Sequence, residues 1–362
     1  MRAVVLSHEY ADPARRGKLK ALAGLGCAIT AAVPAGSGGS DGPVRIASIR
    51  AGRDHGAPER RPWSRRGLTT LLRDLRPDLV QIESEPQSRA AAAATAVAHR
   101  LGVPTLAFSW ESLARDYPLF ARRRRRLVLA RASGVVGGNG LATGLLRAMA
   151  PEARHATIPQ FGLTVPPLPE PRNAPGLVIG FIGRLVPERG VELLLRACNH
   201  VMGAWSVAIL GTGPAQEDLE ALAQRLGQAS RLRWLGGAGR EAIDQFWTEI
   251  DVLVVPSRAT ASWVERHHPL LLEAMARAIP VVTAETGALP ELVGDAGIVV
   301  DDAEPMGLAL QRLLADPAER RRLGLAARQR VLRHYADSAI AERTLEFWTE
   351  VVRGAARPPG AG

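Results

Sequence analysis

The chain has 362 residues, 46% of them hydrophobic, which is enough for two domains with substantial cores. Its formal net charge is +10, carried almost wholly by arginine, with lysine only at positions 18 and 20. A basic surface favours anionic partners. No RNA-binding aromatic motif or zinc pattern accompanies the charge, so no nucleic-acid partner is expected. No apolar run approaches the ~20 residues that span a bilayer. Cys27 and Cys198 fall in different halves, so neither a disulfide framework nor a metal site is expected.

The chain opens MRAVVLSHEY, straight into a strand at 3–7 with no signal-peptide hydrophobic region, and a cytoplasmic location is expected. A helix at 16–25 and a strand at 28–33 follow. Residues 34–62 are rich in Gly, Pro, Ser and Arg, with one strand-like patch at 44–49. Then come a helix at 63–75, a strand at 79–83, an alanine-rich helix at 87–101 and a strand at 104–109. A basic helix at 119–132, a strand at 134–137 and a helix at 140–149 complete the first half. Such alternation predicts a doubly wound parallel sheet.

Residues 166–175, PPLPEPRNAP, read as an extended linker. Behind it the pattern restarts: strand 177–182, helix 190–201, strand 206–210, helix 215–226, strand 232–235, helix 240–249 and strand 252–255. A helix at 270–278, a strand at 280–283 and a helix opened by Pro290 follow, and helices at about 317–332 and 337–353 end the pattern. The expected domains are 1–165 and 176–335 around the linker, with a C-terminal helix at 336–354 and a disordered tail at 355–362. Two such domains on one linker imply a cleft. Neither carries G-x-G-x-x-G after its first strand. Gly211-Thr212-Gly213-Pro214 begins like one but lacks the last glycine, which argues against a dinucleotide redox site.

Chemistry-bearing residues gather at strand ends in the second half. The strand at 252–255 closes at Pro256-Ser257, and the loop after it carries Glu265. Pro269 fits the first turn of the next helix, which carries Glu273. Two loops feed helix N-termini here, so backbone N–H groups and positive dipole ends suit a phosphate or pyrophosphate. A loop carboxylate and a helix carboxylate beside it are suited to binding ribose and hexose hydroxyls. At the first strand end of this half, Gly183-Arg184-Leu185-Val186-Pro187-Glu188-Arg189-Gly190 sets two guanidiniums on either side of a turn, able to grip a diphosphate. Gly183 and Gly190 permit close backbone approach.

These segments resemble the family 4 retaining glycosyltransferases. Glu265 and Glu273 fall on the E-x7-E signature, and GRLVPERG resembles G-R-L-x-P-E-K-G, with Arg189 where the family usually has lysine. The resemblance implies an α/β GT-B fold, two Rossmann-like doubly wound domains facing across a cleft. The N-terminal domain would take the acceptor and the C-terminal one the nucleotide-sugar, with the last helix crossing back. It implies transfer of a sugar from a nucleotide-diphosphate donor to a hydroxyl acceptor, with retention and with no metal or cofactor. Arg184 and Arg189 would neutralise the leaving diphosphate, an effect worth roughly 3 kcal/mol per donor in comparable sites. Glu265 would stand by the donor sugar and complete the catalytic set, and Glu273 by the ribose. Gly287, Ala288 and Leu289 would offer backbone N–H groups to phosphate. The family usually has a small apolar pair after the first glutamate. Arg266-His267-His268-Pro269 departs from that and leaves the donor sugar open. A nucleotide-sugar epimerase and a non-catalytic nucleotide-sugar binder on the same fold are the alternatives.

In the first half, three strand ends place His8, Glu9, Glu83, Glu85, Trp110 and Glu111 as acceptor-side candidates. Asn139 and Gln160 read as structural. Arg122–Arg126 is a run of five arginines flanked by Leu119, Phe120, Leu127 and Leu129. A helix of that make-up is either a solvated face or a peripheral contact with anionic lipid at the inner membrane face.

Overall fold

The computed structural model describes residues 1–34, 38–49, 63–170, 172, 175–237 and 239–355. Residues 356–362 of the expected disordered tail and part of the proline-rich linker lie outside them, while Ala355 ends the last helix. The chain divides into two compact units, Met1–Thr164 with Tyr335–Gly362, and Val165–His334.

The first unit is built on β1 (Arg2–Leu6), β2 (Ala28–Pro34), β3 (Gly39–Asp41), β4 (Val44–Ile49), β5 (Leu79–Ile82), β6 (Thr105–Ser109), β7 (Gly134–Gly137) and β8 (Arg154–Thr157). They form one sheet in the order β3-β4-β2-β1-β5-β6-β7-β8, parallel except where the edge strand β3 runs against β4. Against it lie α1 (Gly17–Gly24), α2 (Arg65–Leu75), α3 (Arg89–Arg100), α4 (Leu119–Arg131) and α5 (Gly140–Met149), joined by the last helix of the chain. The central strands are apolar on both faces because helices lie on both; all four residues of β5 are buried. The chain runs outward from β1 through β2 and β4, then crosses back to β5, so the strand order reverses between β1 and β5, where α/β sheets open a crevice. The hydrophobic pattern gives no sign of β3 or β8. Gly39-Ser40-Asp41 and Arg154-His155-Ala156-Thr157 are held at the two sheet edges by backbone pairing and need no apolar face.

The second unit contains β9 (Leu177–Ile182), α6 (Val191–Cys198), β10 (Trp205–Leu210), α7 (Gln216–Arg225), β11 (Leu232–Trp234), α8 (Arg240–Glu249), β12 (Val252–Val255), α9 (Pro269–Ala276), β13 (Val281–Ala284), α10 (Leu289–Val293), β14 (Ile298–Val300), α11 (Ala303–Ala315) and α12 (Pro317–His334). Its six strands are parallel, in the order β11-β10-β9-β12-β13-β14, around a core that includes Ile179, Phe181, Leu194, Val207, Val254 and Leu310. The sequence reading has no helix between the one opened by Pro290 and that at 317–332, yet α11 stands there. Pro305 stands third in that helix, where a missing N–H loses no intrahelical bond, and the Asp302 carboxylate accepts from the Ala303 N–H at 2.8 Å. α9 stops at Ala276, short of the expected 278, and Ala278 takes the left-handed conformation with φ 58°.

The last helix, α13 (Asp337–Ala355), belongs to the first unit. It buries Ile340, Phe347, Trp348 and Val351 in that unit's core, and the Trp348 indole N–H donates to Gln81 Oε1 at 2.6 Å. No helix among the described residues is long and apolar enough to cross a membrane.

Candidate active site

In the second unit, β9 ends in a tight turn that closes as a 3-10 segment at Pro187–Arg189. Gly190 then adopts φ 69°, and a Cβ there would stand 1.8 Å from the Pro256 carbonyl oxygen. Glycine therefore lets the turn lie against the end of β12. The Arg258 N–H fastens it by donating to Glu188 O at 2.8 Å. This placement brings Arg189 to the loop after β12, where its Nη1 lies 2.5 Å from Glu265 Oε2 and its guanidinium stands over the Trp263 ring at 5.4 Å.

Glu265 is buried and also accepts from the Ser257 hydroxyl at 3.2 Å. Burial pushes its carboxyl pKa up, opposed by the nearby Arg189 charge and the Ser257 hydrogen bond. Its backbone is gripped from the other side, since the Ala288 N–H donates to Glu265 O at 2.8 Å. Gly287, at φ 55°, permits that grip, because a Cβ there would lie 2.1 Å from the same oxygen. The turn after β9, the loop after β12 and the loop after β13 are thus fastened together around one carboxylate–guanidinium pair.

The expected site residues divide accordingly. Arg189, Glu265 and the 287–289 loop come together. Arg184, at the end of β9, is exposed and has no ion pair among the described residues. The N–H groups of the 287–289 loop are less available than expected. Ala288 gives its own to Glu265, and Leu289 gives its own to Thr286 O at 3.1 Å, because the loop must first close on itself and on Glu265. Glu273 is not free to meet a ligand in this arrangement. Arg240 at the start of α8 holds both its oxygens, at 3.0 and 2.8 Å, and Arg277 stands 3.6 Å away.

The Arg-His-His-Pro segment has a local structural role. His268 is the N-cap of α9, its Nδ1 accepting the Leu271 N–H at 3.0 Å. Burial, then the positive charge of Arg189, pushes its pKa down to about 3, so the ring stays neutral and keeps accepting. A histidine directly before a first-turn proline was the available signal for this cap. Arg240 carried none, being 33 residues from Glu273. The Gly-Thr-Gly-Pro segment straps the Arg184 turn: Leu185 N–H donates to Thr212 O at 3.0 Å, and Ala215 N–H to Leu185 O at 3.1 Å. Among the described residues, no three His, Cys, Asp or Glu side chains gather to hold a metal ion.

The first unit carries a cavity of about 680 Å³ at the carboxyl ends of β1, β5 and β6. That size suits a small-molecule ligand. His8, Glu9, Glu85 and Trp110 line it, with Arg89, Tyr117, Arg124 and Gln160. Glu85 accepts from the Ser109 hydroxyl at 2.6 Å and the Trp110 N–H at 2.9 Å, and the Trp110 indole N–H donates to Gln160 Oε1 at 2.9 Å. Two of the acceptor-side candidates serve the framework instead. Glu83 reaches the cavity wall, but its side chain is 0% exposed, and it is saturated by Lys18 Nζ at 2.5 Å, the Tyr10 hydroxyl at 2.6 Å and the Gln81 amide at 2.6 Å. Glu111 is buried, taking the Tyr117 hydroxyl and standing 3.8 Å from Arg125. Asn139 caps α5, accepting the Ala142 N–H at 2.8 Å.

Two doubly wound units with this topology make a protein of the GT-B fold. The Glycosyl transferases group 1 family profile matches residues 176–316, and the Glycosyl transferase 4-like domain profile matches residues 13–160. The chain belongs to this family of glycosyltransferases. A curated relative is the GDP-mannose-dependent alpha-(1-6)-phosphatidylinositol monomannoside mannosyltransferase of Mycolicibacterium smegmatis, 31% identical over 57% of this chain and 50% of the relative. The chain spans about half the length of the curated relatives it matches. Among solved structures, sucrose-phosphate synthase from Thermosynechococcus elongatus superposes with a TM-score of 0.70 at 19% identity, covering 98% of this chain and 100% of the other. Anabaena HepE in complex with UDP and glucose gives 0.67 at 16%, covering 97% and 100%. At such identity these likenesses speak for the fold alone.

Proposed function

We propose that the protein is a glycosyltransferase that moves a sugar from a nucleotide-diphosphate sugar to a hydroxyl-bearing acceptor, retaining the anomeric configuration and using no metal ion. The observation that carries this reading is the Arg189–Glu265 pair fixed at the carboxyl ends of β9 and β12, with an exposed Arg184 on the same turn after β9 as Arg189. On this reading the donor diphosphate meets Arg184 and draws Arg189 partly away from Glu265. The Glu265 carboxylate is then left to accept hydrogen bonds from hydroxyls of the donor sugar. As the bond from the anomeric carbon to the diphosphate oxygen breaks, both guanidiniums meet charge that grows on the leaving group. The acceptor oxygen attacks from the same face, and its proton passes to an oxygen of the departing phosphate. Two of the similar proteins support a nucleotide donor. One is GDP-mannose-dependent, and one solved neighbour holds UDP and glucose. The acceptor would enter the cavity of the first unit.

A thermal-shift series with GDP, UDP and ADP tests the donor side. A ligand at a hundred times its Kd stabilises the folded form by about 2.7 kcal/mol. One diphosphate should raise the melting temperature of the wild type, and Arg184→Ala should remove most of that rise. The reading fails if no nucleotide diphosphate shifts the wild type, or if the variant responds as fully.

A further inference from the structure

The arginine run on α4 is the strongest feature that the donor and acceptor sites leave unused. Its five guanidiniums do not share one environment. Arg124 turns inward, its Nε donating to Gln87 O at 2.8 Å, and it lines the cavity of the first unit. Arg125 also turns inward, 3.8 Å from Glu111 and over the Tyr117 ring. Arg122, Arg123 and Arg126 are exposed, and none has an ion pair among the described residues.

The same outward side carries apolar groups that a solvated helix has no reason to show. Leu119 is 74% exposed and Phe120 76%, both in the first turn, and Leu127 is 37% exposed. Positions 119, 123, 126, 127 and 130 repeat at the helical spacing and so share one face. The buried residues Ala121, Val128 and Leu129 hold the opposite side to the sheet. Isolated exposed apolar residues are ordinary. Here two large ones sit side by side within two turns of three unpaired arginines, which is the make-up of a helix lying in a membrane interface.

We propose that this face of α4 docks on an anionic lipid surface. Leu119 and Phe120 enter the boundary between headgroups and acyl chains, and Arg122, Arg123 and Arg126 meet lipid phosphates. Arg124 and Tyr117 on the inner side would then stand about one helix diameter, roughly 10 Å, from the headgroup layer. That would bring the cavity of the first unit close to a lipid-linked hydroxyl. The docking rests on the exposed face alone and would survive failure of the donor assignment.

Flotation of the full chain with vesicles tests it. The chain should float with phosphatidylcholine vesicles containing phosphatidylglycerol and stay behind with phosphatidylcholine alone. Each arginine near an anionic surface contributes about five-fold in partitioning. Arg122→Ser with Arg123→Ser and Arg126→Ser should therefore weaken binding on the order of a hundred-fold. Leu119→Ser with Phe120→Ser should weaken it at least about ten-fold, since two apolar side chains no longer leave water. Both variants change exposed positions and should melt with the wild type, which separates lost docking from lost folding. The proposal is overturned if the wild type does not float, if neutral and anionic vesicles bind alike, or if both variants float undiminished. It is also overturned if the arginine variant loses duplex DNA while the Leu119 and Phe120 variant still floats, for the surface then reads phosphate backbones and not a bilayer.

Discussion

Lys18→Met tests whether the buried charge pair beneath the cavity of the first unit is a structural keystone. The Lys18 side chain is 1% exposed and that of Glu83 0%, with Nζ 2.5 Å from Oε1. The other partners of Glu83, the Tyr10 hydroxyl and the Gln81 amide, are neutral donors. Burial, then the Glu83 charge, raises the Tyr10 pKa well above its ordinary value, so that hydroxyl keeps its proton and stays a donor. Methionine fills similar volume but supplies no charge. Removing one member of a buried pair typically costs about 3–5 kcal/mol, because the other charge is stranded. For a unit of this size each kcal/mol lowers the melting temperature by roughly 2–4 °C. Lys18→Met should therefore melt roughly 6–20 °C below the wild type, followed by circular dichroism. Adding Glu83→Gln removes the stranded charge and keeps an oxygen for the Gln81 amide. The double variant should recover to within about 2 kcal/mol of the wild type. If the single variant melts within about 2 °C of the wild type, or the double variant is no better than the single one, Lys18 is not holding a buried charge and the reasoning fails.

Two further outcomes follow from the second unit. His268 titrates near 6.5 in an unfolded chain and near 3 when folded. Below pH 6.5 the unfolded chain therefore takes up a proton that the folded one refuses, and this contribution to stability is full above pH 6.5 and lost as pH falls toward 3. His268→Asn keeps an oxygen at the cap and removes the titration, so its urea midpoint should fall less between pH 7 and pH 5 than that of the wild type. Equal falls would refute this. Arg240 grips Glu273, but its own side chain is 56% exposed, so the pair is worth only about 0.5–1 kcal/mol. If a ribose must displace Arg240 from Glu273, Arg240→Ala should tighten nucleotide diphosphate binding by about two- to five-fold in calorimetry. Weaker binding would mean that Arg240 itself touches the ligand.

The architecture is largely legible in the sequence, because apolar runs of four to six residues alternating with helical patterns leave few other folds. The parts that escape it are those whose stability comes from neighbours distant in the chain. β3 and β8 are polar strings held by the adjoining strand and by partners from elsewhere, Arg16 and Lys20 on Asp41, and Thr143 and Arg343 on Thr157. The same distinction divides the site. The strand–loop–helix that carries Glu265 announces itself through Pro256, Pro269 and the apolar run before them. A strand end tells where a backbone stops, not which side chains surround the next carboxylate. Glu83 and Glu85 stand at the same strand end, yet one is saturated from residues 65 and 73 positions away while the other faces a cavity. Loop N–H groups hide in the same way. Ala288 looks available until the carbonyl of Glu265, far back in the chain, claims it.

The assignment of α13 to the first unit gives the chain an order of assembly. Residues Val165–His334 are, topologically, an insertion between Thr164 and the helix that supplies Trp348. During synthesis the eight-stranded sheet leaves the ribosome with Gln81 still lacking its indole partner and one face covered by α1 but not yet by α13. The inserted unit has all its own strands and helices before then. The domain begun first is thus the last to be finished, and a nascent chain must shelter the rest of that face until its final helix emerges.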